Sequence, residues 1–180
     1  MTDVLARVKA VLASTPTRWL NMTEILPVDL LSHPPATGEW SATECLIHLL
    51  DTEHIFPARV LALLAGQAIP AFDPDTQGTK DTTSSPGKLA AEFAGLRQAG
   101  LAVLERVAPQ DFNRTAEHSE LGTVTLGQLL HEWAAHDLNH TIQAERAVMQ
   151  PFIQGSGPWR SSFQDHEVAN KHLATTEDDR

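Results

Sequence analysis

The sequence predicts an all-α protein, a four-helix bundle with long loops between its helices, and three observations carry that expectation. Four stretches of the 180-residue chain repeat apolar residues at spacings of three, four and seven, the period of one helix face. No stretch alternates apolar and polar residues long enough for a strand of useful length, and no internal repeat suggests a solenoid. Amphipathic helices with no sheet to cover bury their apolar faces on one another, and four of them close a core.

The first helix spans Asp3 to about Leu26, with Leu5, Val8, Leu12, Trp19, Met22 and Leu26 in helical phase. Pro16 lies inside it and predicts a kink or a split, because proline removes a backbone donor and crowds the preceding turn. Pro27 to Trp40 contains Pro27, Pro34, Pro35 and Gly38 and reads as a loop with one short helical turn. At Ser41 a second helix begins with a capping box formed with Glu44, and it continues through Leu46, Leu49, Glu53, Phe56, Val60 and Leu63 to a stop at Gly66. Pro57 predicts a further kink.

Gln67 to Gly87, rich in Pro, Asp, Thr and Gly, reads as a long loop, a length that in a small domain often marks a functional segment. The third helix starts near Ser85 and Pro86 and aligns Leu89, Phe93, Leu96, Gly100, Leu104 and Val107. Gly100 on that face suits close helix approach at a cost of about 1 kcal/mol relative to alanine. After an irregular segment from Asp111 to Gly122, Thr125 caps a fourth helix. Its inward face is Leu126, Leu129, Trp133, His136, His140, Ala144 and Ala147, and Pro151 is expected to end it. One domain, residues 1–153, is therefore expected, followed by a polar tail, residues 154–180, with a GSGPW turn and an acidic, partly mobile end.

A net charge of −10 argues against nucleic acid as a partner, since phosphate recognition draws its affinity from a basic face. No secretory leader and no apolar run near the roughly 18 residues of a membrane span are visible, so a soluble, cytoplasmic protein without a membrane partner is expected. The single cysteine, Cys45, rules out an internal disulfide and a Cys-rich zinc site.

The nine histidines then carry the functional argument. In HEWAAHDLNH, His136 and His140 stand four residues apart, about 40° around the helix axis, and share one face. Both fall at positions the pattern assigns to the interior, where two imidazoles need hydrogen bonds or a metal. His131 is about 140° from His136 and faces elsewhere, so HEWAAH is not the zinc-protease motif, which needs its histidines at i and i+4. A catalytic metal takes three protein ligands and keeps a position open, so a third ligand must come from another helix. His33, His118, His166 and His172 lie in loops or the tail. Of the two histidines on the second helix, His48 sits beside the stripe of Cys45, Leu49 and Thr52, whereas His54 is about 240° away. His48 is the best third ligand on this geometry.

The run GEWSATECLIHLLDTEHIFPARV, followed about eighty residues later by LGTVTLGQLLHEWAAHDLNHTIQ, resembles the DinB-like and YfiT-like superfamily of metalloenzymes. In position, Trp40 and Ser41 match that family's second-helix start, His48 its second-helix ligand, and His136 and His140 its paired ligands. The resemblance covers roughly residues 3 to 150. It implies a four-helix bundle of the DinB-like type, one divalent transition metal ion per chain with zinc or nickel favoured, a small-molecule substrate and a homodimer. It further implies thiol S-transferase-like or hydrolase-like chemistry, with a metal-activated water or low-molecular-weight thiol as nucleophile and the thiol as cosubstrate. The alternative is a non-catalytic, stress-associated metal-binding protein.

Metal-bound imidazole usually donates its second N–H to a carboxylate or carbonyl. Glu44 and Asp51 bracket His48, Glu132 is one turn before His136, and Gln143 is one turn after His140, so these four are the candidates to support the ligands or to move a proton. Each also has a plainer role, Glu44 as helix cap and the others in surface pairs. Cys45 reads as a small buried hydrophobe, and Trp19, Trp40 and Trp133 as core or pocket wall. Gly87-Lys88 fails as a phosphate loop, with Thr82 where glycine is needed and Leu89 where Ser or Thr is needed, and no GxSxG nucleophile elbow is present.

Overall fold

The computed structural model describes residues 4–79 and 83–169. Four long helices make the bundle: α1 (Val4–Ile25), α3 (Ala42–Ala65), α5 (Pro86–Leu104) and α6 (Leu126–Gly155). Two short helices, α2 (Val28–Ser32) and α4 (Pro74–Gln77), lie in the connections. Helices α3 and α1 each pack against both α5 and α6, so α1 and α3 occupy one diagonal and α5 and α6 the other. Among the described residues no helix is long and apolar enough to cross a membrane.

The caps expected from the sequence are formed. Ser41 Oγ accepts from the Glu44 backbone N–H while the Glu44 carboxylate accepts from the Ser41 N–H, and Thr125 and Gln128 repeat the exchange at the start of α6. Gly66 ends α3 at φ 67°, the left-handed conformation that glycine adopts without strain. Helices α1, α3 and α6 run unbroken through Pro16, Pro57 and Pro151, so α1 is not split at Pro16, and α6 ends at Gly155 and not, as expected, at Pro151. Tertiary burial on both sides of each proline (Leu12 and Trp19, Phe56 and Val60, Ala147 and Ile153) outweighs the lost hydrogen bond.

The segment read as irregular holds a 3-10 turn at Pro109–Asn113 and an antiparallel hairpin of β1 (Thr115–His118) and β2 (Gly122–Thr125), whose four-residue strands are too short for a periodicity signal. Ile69, just after α3, bridges to His118 and extends this edge, which brings residues 69–72 back over the bundle. The GSGPW cluster opens a 3-10 helix, Gly157–His166, and the segment after it docks on α6 through Gln150, which donates to the His166 carbonyl and accepts from the Val168 N–H. Residues 170–180, where the mobile acidic end was expected, lie outside the described residues.

A charged layer divides the core. One apolar cluster gathers Val8, Leu12, Phe56, Leu104 and Trp133, and a second gathers Trp19, Leu46, Leu49, Phe93 and Ala144. Between them, at successive turns of the four helices, lie buried Thr15, Glu53, Arg97, Asp137 and Thr141. Arg97, 1% exposed, donates Nε–H to Glu53 Oε2 at 2.9 Å, Nη1 to Asp137 Oδ2 at 2.6 Å and to the Leu12 carbonyl at 2.8 Å, and Nη2 to Asp137 Oδ1 at 3.0 Å and to Glu53 Oε1. All five guanidinium N–H groups are thereby used. The Leu12 carbonyl is free to accept because Pro16, four residues on, has no N–H to offer it.

Replacing Arg97 alone leaves two carboxylates unpaired in the core. Arg97→Met is expected to destabilise by about 3–5 kcal/mol in urea denaturation, whereas the combined variant Glu53→Leu, Arg97→Met, Asp137→Leu recovers most of that loss. A triple variant no more stable than the single one would show that packing, and not charge pairing, sets the cost.

Candidate metal centre

His48 projects from the most buried stretch of α3, and His136 and His140 from the flank of α6 that faces it. The deepest stripe of α6 runs through Leu130, Trp133, Asp137, Thr141 and Ala144, so the two histidines are half-buried beside that stripe and not at its centre. This displacement of one position, about 100°, puts the imidazoles at the α3–α6 seam, where they meet His48 and still reach solvent.

One ring nitrogen of each histidine lies within 4.8 Å of those of the other two. His48 Nε2 and His136 Nε2 are 2.9 Å apart. The ring centroids are separated by 4.9 Å (His48–His136), 4.4 Å (His48–His140) and 4.5 Å (His136–His140). Three nitrogens bound to one tetrahedral zinc ion would stand about 3.3 Å apart, inside that range. His140 Nδ1 is 2.9 Å from Gln143 Oε1. Because that oxygen can only accept, Nδ1 donates and the Nε2 lone pair is left for the cluster. His48 and His136 have Nδ1 atoms that are buried without a partner, so the polar group expected behind each ligand is provided for His140 alone.

The site has aromatic walls. Trp40 lies 5.1 Å from His48 and stacks on His140 at 5.9 Å, Phe72 faces His48 at 6.4 Å, and Phe56 meets His136 edge-on at 5.2 Å. Phe56 in turn stacks at 5.3 Å on Trp133, which lies against the Arg97 guanidinium, so a packed chain links the charged layer to His136. Burial, with the neighbouring histidines second, lowers the His48 pKa to about 4 and the His136 pKa to about 3, and burial lowers that of His140 as well. Neutral imidazoles with converging lone pairs are what a divalent transition ion requires.

The four supporting candidates meet different fates. Gln143 touches His140. Glu44 gives its carboxylate to the Ser41 N–H and hydroxyl. Asp51 accepts from Thr79 N–H at 2.7 Å and Thr79 Oγ1 at 2.6 Å, which pins the loop after α4 beside His48. Glu132 makes no hydrogen bond or ion pair among the described residues, and partial burial pushes its pKa up against the pull of Arg59. His131 is exposed, with Nδ1 on the Gly127 carbonyl, and His54 is exposed on α3. Cys45 is fully buried, and burial, followed by the charge of Glu44, pushes its thiol to about 12, so it is no thiolate ligand.

Sequence reasoning missed Glu53, Arg97 and Asp137. The signal was present: Glu53 falls in the stripe of Leu49 and Phe56, Arg97 in that of Phe93, Gly100 and Leu104, and Asp137 follows Trp133 by one turn. Charged residues in core phase on three helices predict a buried network.

The sequence profile of the DinB superfamily matches residues 11–144. No curated protein matches the chain. Among solved structures, YfiT from Bacillus subtilis, described as a probable metal-dependent hydrolase with an unusual four-helix bundle topology, has a TM-score of 0.72 at 22% identity. It covers 82% of this chain and 87% of YfiT. A DinB-like protein from Bacillus subtilis, YjoA, has a TM-score of 0.56 at 21% identity, covering 81% of this chain and 92% of the other. At such identities both likenesses speak for the fold. Because the profile spans most of the chain, including the turns of α3 and α6 that bear His48, His136 and His140, the protein belongs to the DinB superfamily.

Proposed function

We propose that this protein is a metal-dependent enzyme in which His48, His136 and His140 hold one zinc or nickel ion and a water or low-molecular-weight thiol attacks a small electrophilic substrate. The observation that carries this reading is the convergence of three imidazoles, kept neutral by burial, at a seam that opens to solvent. When bound, such an ion acts as a Lewis acid and lowers the pKa of a water or thiol in its open position, so that a nucleophile exists at neutral pH. An all-imidazole donor set favours zinc, nickel and copper over the oxygen-seeking magnesium and calcium.

The chain's own part is to shape the surroundings. Gln143 fixes the tautomer and tilt of His140. Trp40, Phe56 and Phe72 shield the imidazoles, and the Asp51–Thr79 pair holds the loop after α4 close to His48. A cavity of about 100 Å³ has His48 in its wall with Trp40, Asp51 and Thr79, and two larger ones are bounded by residues that touch the histidines: one of about 510 Å³ by Trp40 and Gln143, with Arg146 and Glu167, and one of about 560 Å³ by Phe72, with Glu132 and the hairpin. A purely structural zinc site is normally closed by four protein ligands. Three ligands, one of them in a cavity wall, suit a site that keeps a position open for a nucleophile or substrate. Activity in a reducing cytoplasm is in keeping with a sole, buried thiol.

Elemental analysis of protein purified without chelator is expected to find about one equivalent of a transition metal per chain. His48→Ala, His136→Ala and His140→Ala should lose it and His131→Ala should keep it; equal loss in all four would refute the ligand assignment. A turnover screen pairing thiols or water with alkyl and acyl electrophiles should detect activity that chelation abolishes and zinc or nickel restores. Metal-dependent folding without any turnover would favour the non-catalytic reading.

The histidine shifts also fix a pH dependence for the metal-free protein. An unfolded chain protonates His48 and His136 near pH 6.5, whereas the fold resists until about pH 4 and about pH 3. Stability should therefore be insensitive to these groups above pH 6.5 and fall as the pH drops from 6.5 toward 4. Urea midpoints between pH 8 and pH 5 should show the decline in wild type and a shallower one in His136→Ala.

A further inference from the structure

We infer that the cavity on the hairpin side of the histidines is the substrate pocket and that it receives an apolar molecule bearing a single carboxylate, which Arg59 grips. This rests on the metal-enzyme reading only in calling the ligand a substrate. The cavity, about 560 Å³, is of a size for a compact organic molecule. Its walls are largely apolar, with Ile69, Phe72, Leu121 and Val124 as the main contributors, and Leu121 on the hairpin turn is 73% exposed. Three charged residues, Arg59, Glu120 and Glu132, complete it. Its wall links it to the histidines: Phe72 lies near-parallel to the His48 ring with centroids 6.4 Å apart, and Glu132 is one helical turn from His136.

Arg59 sits eleven residues after His48, about 20° from it around α3 and three turns along. One of its N–H groups donates to the Pro70 carbonyl at 2.8 Å, which orients the guanidinium, while Nε is buried with no partner. No carboxylate lies within ion-pair distance of Arg59 among the described residues, Glu132 included. The contrast with Arg97, whose every donor is used, is sharp. A partly buried guanidinium with spare donors beside an apolar cavity is built to take a planar oxyanion in a two-pronged hydrogen bond. The charge balance selects a carboxylate over a phosphate. The cavity offers one arginine, no lysine and two acidic residues, Glu120 and Glu132, in a chain of net charge −10, so a dianion would meet more repulsion than one arginine offsets.

Calorimetric titration of the full chain, metal-loaded and as the His48→Ala variant, with 4-phenylbutyrate and with 4-phenylbutanol tests this. The carboxylate should bind roughly tenfold tighter than the alcohol, and the preference should persist in His48→Ala. Arg59→Met should abolish the preference while leaving the alcohol's affinity unchanged, and Arg59→Lys, which keeps the charge without the fork, should retain only part of it. Equal affinities in wild type, no binding of either probe, or a preference that survives Arg59→Met would overturn the proposal. So would a preference lost in His48→Ala, which would place the carboxylate on the metal. Failure of the metal-enzyme reading would show separately, as absent metal or absent turnover with carboxylate binding intact.

Discussion

The guanidinium of Arg97 is the interaction on which the arrangement of the bundle depends. Its five donors meet acceptors on α1, α3 and α6 from a position on α5, so no long helix can rotate or slide by one residue without stranding a charge or a carbonyl in the core. The energetic return of such a network is modest, because desolvating three charges offsets most of the attraction between them. Its value lies in register. Leu and Phe layers tolerate several alignments of four helices, and a guanidinium with five fixed directions tolerates one. Pro16 belongs to the same device, since an ordinary residue there would present its own N–H to the Leu12 carbonyl.

That register places the histidines. Trp133 and Asp137 fix the rotation of α6, Glu53 and Phe56 fix that of α3, and the contacts from Arg97 through Trp133 and Phe56 end on His136. Close approach is required as well: a Cβ on Gly100 would lie 3.1 Å from the Trp133 ring. The glycine whose propensity cost was visible in the sequence therefore admits the indole that transmits the layer's position to the site.

How much of this was legible in the sequence depended on the range of the interaction that decides it. Local chemistry was legible: Ser41 with Glu44, Thr125, Ser85 and Gly66 mark helix ends because the groups they satisfy are within four residues. Helical phase was legible too, and it paired His136 with His140 and selected His48 over His54. Where long-range packing overrode a local preference, the reading failed, as at Pro151, which α6 runs through to Gly155. The hairpin at Thr115–Thr125 escaped because eight strand residues held partly by Ile69 carry no period of their own. Arg97 was overlooked because an arginine in core phase has no meaning until its partners on three other helices are known.

His136 and Asp137 are adjacent in sequence, yet one faces the seam and the other the charged layer, about 100° apart on the helix. This separation lets the layer and the site be altered independently. The layer must exclude water, since its charges are matched to one another and a competing ligand would break that balance. The histidines must not be fully enclosed, since a metal that does chemistry needs an exchangeable position. A centre of three imidazoles at the bundle axis would have been dry and inaccessible. Shifting them by one position toward α3 gives each imidazole a buried side, which keeps it neutral, and leaves the cluster beside the cavities under Trp40 and Phe72. The fold thus holds its charges in the interior, where they specify alignment, and its neutral donors at the margin, where a cation and a substrate can reach them.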